Sequence, residues 1–154
     1  MKALFYPGAD CIIRSERIFQ FPVDYVYKAW TDPEHLKNWW GPNGFTNTFH
    51  KHELKPDGEW RFTMHGPDGG NFENECRFIV IEENHFLAWY RLSKPIFQVQ
   101  VTFEAVSPAA TNIIFKMVFD DAVLCRKIAL FAVEKNEENF DRLEVELTKI
   151  IMNT

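Results

Sequence analysis

The first residues of the chain with a readable pattern, Cys11 to Phe21 (CIIRSERIFQF), are rich in Ile and Phe and predict a strand. Ile13 follows the alternation only loosely, so the inward face of this strand stays open. Pro22 ends it. From Val23 to Trp30 the period changes: Val23, Val26, Tyr27 and Trp30 recur at helical spacing, and Asp24 sits in the first turn, where the helix dipole favours a carboxylate. Asp32 then supplies an N-cap and Pro33 a first helical residue for a second short helix carrying Leu36, Trp39 and Trp40, which Gly41-Pro42-Asn43-Gly44 stops.

Extended segments follow at Phe45 to Leu54, Gly58 to His65, Phe72 to Ile81 and Phe86 to Arg91. They are punctuated by Pro56-Asp57-Gly58, Pro67-Asp68-Gly69-Gly70 and Glu83-Asn84. Two longer strands, Phe97 to Val106 and Asn112 to Phe119, are joined by Ser107-Pro108-Ala109-Ala110. The first of these alternates strictly. Phe97, Val99, Val101 and Phe103 stand against Gln98, Gln100, Thr102 and Glu104, which predicts one buried and one wet face. Beyond Asp120-Asp121 the period is helical again, with a short helix to Phe131 and then a long one striped by Phe140, Leu143, Leu147 and Ile150. The order β, α, α, six strands, α reads as one α+β domain over residues 10–154, with residues 1–9 as an N-terminal extension. A curved antiparallel sheet wrapping the last helix buries both apolar faces most simply.

Composition adds one unusual feature. Fifteen Phe, five Trp and four Tyr make 16% of the chain aromatic, and such side chains either fill a core or wall a cavity. A chain of 154 residues sustains one core. The net charge of −5 and the lack of any Lys/Arg block argue against nucleic acid and anionic membrane surfaces as partners. No stretch approaches the roughly 18 apolar residues of a spanning helix, and Met1 to Ala9 has no long apolar core of the kind a signal peptide carries. Cys11, Cys76 and Cys125 are odd in number and lack CxxC spacing, so reduced thiols and a cytoplasmic location are expected.

The segment from Arg17 to Thr46, RIFQFPVDYVYKAWTDPEHLKNWWGPNGFT, closely resembles the N-terminal signature of activator of heat-shock-protein-ninety ATPase-like domains, a branch of the START-like, birch-pollen-allergen-like (SRPBCC) superfamily. Lys55-Pro56-Asp57-Gly58-Glu59-Trp60-Arg61-Phe62-Thr63-Met64-His65-Gly66-Pro67-Asp68-Gly69 resembles the second family motif, and Ala132-Val133-Glu134 through Phe140-Asp141-Arg142-Leu143 its C-terminal helix. Together these cover Cys11 to Ile151. The resemblance implies a helix-grip fold: a curved antiparallel sheet of about seven strands around a long C-terminal helix, two short helices closing one end, and an elongated cavity between. Gly58-Glu59 stands where the family often has Gly-Gly, and Asn136 where it often has Gly. The chaperone activator that gave the family its name carries a further, larger N-terminal domain, whereas residues 1–9 precede the predicted domain here.

The candidate cavity wall is Trp40, Phe45, Trp60, Phe62, Met64, Trp89, Phe103, Phe115 and Phe131, and the leading expectation is a binding domain for a hydrophobic or amphipathic small molecule. One rival is a cyclase, aromatase or hydratase type of enzyme using His65 or Tyr90 as the proton-transfer group. Another is a stress-related module binding a chaperone or other protein, and each reading is compatible with a homodimer. His50-x-His52 followed by Glu53 would set two imidazoles on one strand face, a weak metal signal without a third ligand, so neither metal nor cofactor is expected. Arg14, Arg17, Arg77 and Arg91 lie in strands and are expected to point outward. Ser15, Ser93 and Ser107 lack a GxSxG context, and Cys76 has no nearby His, so nucleophilic catalysis finds no support.

Overall fold

The computed structural model describes residues 12–154; Cys11 and the proposed extension at 1–9 lie outside them. The elements run β1 (Ile12–Phe19), α1 (Val23–Thr31), α2 (Pro33–Trp39), β2 (Thr46–His52), β3 (Glu59–His65), β4 (Asn71–Glu82), β5 (Phe86–Arg91), β6 (Phe97–Ser107), β7 (Ala110–Val118) and α3 (Ala122–Met152). The strands form one seven-stranded sheet in the order β1-β7-β6-β5-β4-β3-β2, antiparallel throughout. Because β1 and β2 occupy opposite edges, the chain between them has to cross the sheet, and α1 and α2 make that crossing. With α3 packed on the same side, this is the helix-grip arrangement.

The local chemistry explains the element ends. The Asp32 carboxylate accepts a hydrogen bond from Glu34 N at the start of α2, and Pro33 follows at the first helical position. Asp121 caps α3 by accepting from Val123 N and Leu124 N. Gly58, in the second signature motif, is required by space: a Cβ there would lie 2.2 Å from the Glu53 carbonyl oxygen.

In β1 the odd positions turn inward, with Ile13, Ser15 and Phe19 all buried, which settles the face that the alternation left open. The core beneath the sheet is dominated by Trp30, Trp39, Trp60, Phe19, Phe62, Phe78 and Phe140. Trp60 stacks on Phe62 at 4.4 Å, and Trp30 meets Trp39 edge-on at 4.8 Å. The Trp39 indole N–H donates to the Ala29 carbonyl, locking α2 onto α1.

Two expectations need correction. The C-terminal segment is one helix of 31 residues and not a short helix followed by a long one. Ala132-Val133-Glu134-Lys135 contains no Gly or Pro to interrupt it, and Asn136 stays in the helix while its side-chain amide donates to Ser15 Oγ. The polar half of the β6 alternation is wet only toward its far end: Glu104 is exposed and Thr102 half-buried, but Gln98 is 0% and Gln100 5% exposed. They pair across strands with Tyr90 and Ala88, which join Ile79 in a second apolar cluster on the face away from α3, and Gln100 Nε2 donates to Gln98 Oε1.

Candidate functional site

Between the inner face of the sheet and α3 lies a cavity of about 160 Å³. Its floor is built by strand alternation, which sends every second residue inward. Phe62 and Met64 come from β3, Cys76 from β4, Trp89 and Arg91 from β5, Phe97 and Val99 from β6, and Phe115 and Met117 from β7. Lys135, Asn136 and Asn139 of α3 close the opposite side, and Trp40, Gly41 and Pro42 form one edge. The wall is mostly apolar, as expected of a small-molecule pocket.

The edge formed by Trp40 to Pro42 is held by α3. Arg142 donates to the carbonyl oxygens of Asn38, Trp40, Gly41, Pro42 and Phe45, at 2.7 to 3.4 Å. Asn139 Oδ1 accepts from Gly41 N, and Glu138 Oε1 accepts from Asn43 N. Gly41 has φ +105°, and a Cβ there would sit 2.7 Å from the Met64 methyl, so this position takes glycine on two counts. Trp40, placed by this loop, meets Trp60 at 5.6 Å and Trp89 at 5.7 Å.

Of the nine residues expected to wall a cavity, the fold brings together Trp40, Phe62, Met64, Trp89 and Phe115. Trp60 and Phe103 face inward but are consumed in core packing: Trp60 lies between Phe62 and Phe78, and Phe103 packs edge-on against Tyr27 at 5.2 Å. Phe45 leans on Phe72 at 6.1 Å, away from the wall. Phe131 is 56% exposed on the outer side of α3, because the continuous helix turns it away from the sheet.

His65 and Tyr90 both face away from the cavity. Met64 and Trp89 point in, so their neighbours point out. The His65 ring hydrogen-bonds Thr48 Oγ1 and Asn71 Oδ1, while Tyr90 belongs to the outer apolar cluster, and burial pushes its phenol pKa up. Neither can move a proton to or from a molecule in the cavity. The two histidines of β2 do not share a face either. A bulge between Phe49 and Lys51 shifts the register, leaving His50 on Thr63 Oγ1 and His52 stacked inward on Phe49. Among the described residues, no three His, Cys, Asp or Glu side chains gather where they would hold a metal ion.

The expectation that all four strand arginines point outward holds for Arg14 and Arg77 but fails for Arg17 and Arg91. Arg17 reaches α3 and pairs with Glu137, Asp141 and Glu144 at 2.8 to 3.1 Å. Burial opposes its charge, yet these carboxylates prevail and raise its pKa. Arg91 points into the cavity, two residues on from Trp89, and burial lowers its pKa. That spacing was the available signal: an inward Trp89 makes Arg91 inward as well. The same alternation marks Phe97 and Val99. The Cys76 thiol is pushed up to about 12 by burial, so it remains protonated and is a poor nucleophile at neutral pH. Ser15 Oγ accepts from Asn136, and Ser93 and Ser107 accept from backbone N–H groups, so all three hydroxyls serve the fold.

A family model described as activator of Hsp90 ATPase homolog 1-like protein matches residues 20–148. The chain belongs to this family. Its Hsp90-activator-homolog domain superposes on solved bacterial proteins along nearly its whole length. A Nitrosomonas europaea protein has a TM-score of 0.86 at 21% identity, covering 95% of this chain and 99% of its own. An Arthrobacter aurescens protein has a TM-score of 0.84 at 22% identity, covering 96% and 91%. A Silicibacter pomeroyi protein whose description carries the family's abbreviation has a TM-score of 0.71 at 18% identity, covering 89% and 97%. At these identities the likeness speaks for the fold alone. No curated protein sequence matches the chain. Within the family fold, no helix among the described residues is long and apolar enough to cross a membrane.

Proposed function

We propose that this domain binds a small, predominantly apolar molecule in the cavity between the sheet and α3. The observation that carries the reading is the cavity itself, about 160 Å³ walled by Trp40, Phe62, Met64, Trp89 and Phe115. That volume is close to the roughly 150 Å³ of an engineered apolar cavity that stays dry and takes benzene, which favours a ligand about the size of one aromatic ring and disfavours a long-chain lipid. The family membership supports a binding role without naming a ligand.

Native mass spectrometry of the purified protein, compared with its denatured mass, tests the reading together with a tryptophan fluorescence titration using benzamide and toluene. Trp40 and Trp89 both line the cavity, so a ring entering it changes their emission. A retained mass lost on denaturation, or saturable fluorescence changes, is the expected result. A clean apo mass together with no response to either probe rejects it.

A further inference from the structure

Arg91 lines the cavity with no opposite charge beside it among the described residues. Its Nε donates to the Pro95 carbonyl at 3.0 Å, one terminal nitrogen donates to the Lys94 carbonyl at 3.1 Å, and the other donates to Asn74 Oδ1. The guanidinium carbon lies 5.8 Å from the Phe97 ring centre. Every one of these partners is neutral. A guanidinium has five N–H donors in a planar fork, so these contacts orient the group while leaving donor capacity unused.

The cavity's charge balance points the same way. Its lining includes two cationic side chains, Arg91 and Lys135, and no Asp or Glu. This occurs in a chain with 22 acidic residues against 17 basic ones, where Arg14, Arg17, Arg61 and Arg77 all have carboxylate partners. Lys135 has Glu138 beside it at 3.9 Å. Arg91 has no ion-pair partner among the described residues. An arginine stays charged at neutral pH, and a partly desolvated charge without a counter-ion is costly unless an anion joins it.

We infer that the cavity selects small carboxylic acids in their anionic form, with the carboxylate received by Arg91 and the apolar body by Trp40, Phe62, Trp89 and Phe115. The inference rests on the reading of the cavity as a small-molecule site and adds the chemical class. The planar guanidinium fork matches a carboxylate in geometry and charge. The volume limits the remainder of the molecule to one ring or a short branched chain, so benzoate and phenylacetate are suitable probes. A multiply charged phosphate is disfavoured by apolar walls and by the presence of a single unpaired cation.

The test is calorimetric titration of the full chain at neutral pH with benzoate, phenylacetate and the neutral isostere benzamide, repeated with Arg91→Met and Arg91→Lys. Benzoate is expected to bind the wild type at least about tenfold more tightly than benzamide, an advantage of one charge-assisted contact. Arg91→Met removes that preference and leaves benzamide affinity within about threefold, whereas Arg91→Lys, which keeps the charge without the fork, retains part of it. Equal binding of benzoate and benzamide to the wild type overturns the role of Arg91 and leaves the cavity reading standing. Failure of all three to bind overturns the carboxylate inference, and the cavity reading falls with it when toluene and the native mass are negative as well. The wild-type comparison decides the matter even if a substitution at Arg91 prevents folding.

Discussion

Arg142 on α3 donates to the carbonyl oxygen of Gly41 at 2.7 Å, tying the longest helix directly to the loop that edges the cavity. The same guanidinium serves four further carbonyls between Asn38 and Phe45, so a single side chain satisfies most of a turn that has no ladder partner. Burial pulls the Arg142 pKa down, but its positive charge still suits a ring of carbonyl dipoles.

Arg142→Met is therefore expected to destabilise the fold by about 2–4 kcal/mol, because half-buried carbonyls lose a charged donor. The effect should concentrate locally. Hydrogen exchange measured by mass spectrometry should show faster exchange at residues 41–45 while the β5–β7 amides stay protected, and uniform acceleration would contradict the local clamp.

Gly41→Ala meets two obstacles, the positive φ and the Met64 methyl. A double-mutant cycle with Met64→Ala separates them. The methyl is the flexible end of a side chain, so its removal should recover only the steric part. A residual cost of about 1 kcal/mol from the backbone is expected to remain in denaturant titrations.

His52 stacks on Phe49 and meets Trp60 and Phe78 edge-on, and burial lowers its pKa. The unfolded chain takes up a proton at this site below about pH 6.5 while the folded one does not. Stability is thus fully present above that pH and declines as pH falls toward the lowered folded value, by at most about 1.4 kcal/mol per pH unit. His52→Phe keeps the aromatic packing and should flatten this part of the profile. An unchanged difference between wild type and variant from pH 7 to pH 5 would count against it.

Cys76 behaves in the opposite direction. Its thiol is held up to about 12 by burial, so above about pH 9 the unfolded chain loses a proton that the folded one keeps, and stability falls as pH rises through that window. Measured against Cys76→Ala, the slope should approach about 1.4 kcal/mol per pH unit. Iodoacetamide at pH 8 should leave Cys76 unmodified in the native protein. Cys76→Leu, which extends into the cavity, should lower affinity for benzamide at a stability change within about 1.5 kcal/mol.

Much of this architecture is readable from residue order because its determinants are local. Asp32-Pro33 joins an N-cap carboxylate to a residue suited to the first helical position, the Phe/Val positions from Phe97 to Phe103 mark one face of a strand, and the aromatic count calls for a large core. Of the five expected residues that line the cavity, Phe62, Met64, Trp89 and Phe115 stand at inward strand positions and Trp40 follows α2, and the two-residue step from Trp89 also leads to Arg91. Readings failed where a distant element intervened. The β2 bulge moved His50 and His52 to opposite faces, and the continuity of α3 carried Phe131 into solvent.

The sequence by itself determined the element order, the α+β class and the inward set of β6, since each depends on periods of two or 3.6 residues within one segment, and its local motifs carried the family. Only the tertiary structure decided that Trp60 and Phe103 are packing while Phe62 and Phe115 face open space, that Arg142 and Gly41 meet, and that Arg91 stands in the wall without a carboxylate. These depend on the volume left after seven strands and three helices have packed, and on which charges come together across about 100 residues of chain, as Arg142 and Gly41 do. No local period encodes either quantity.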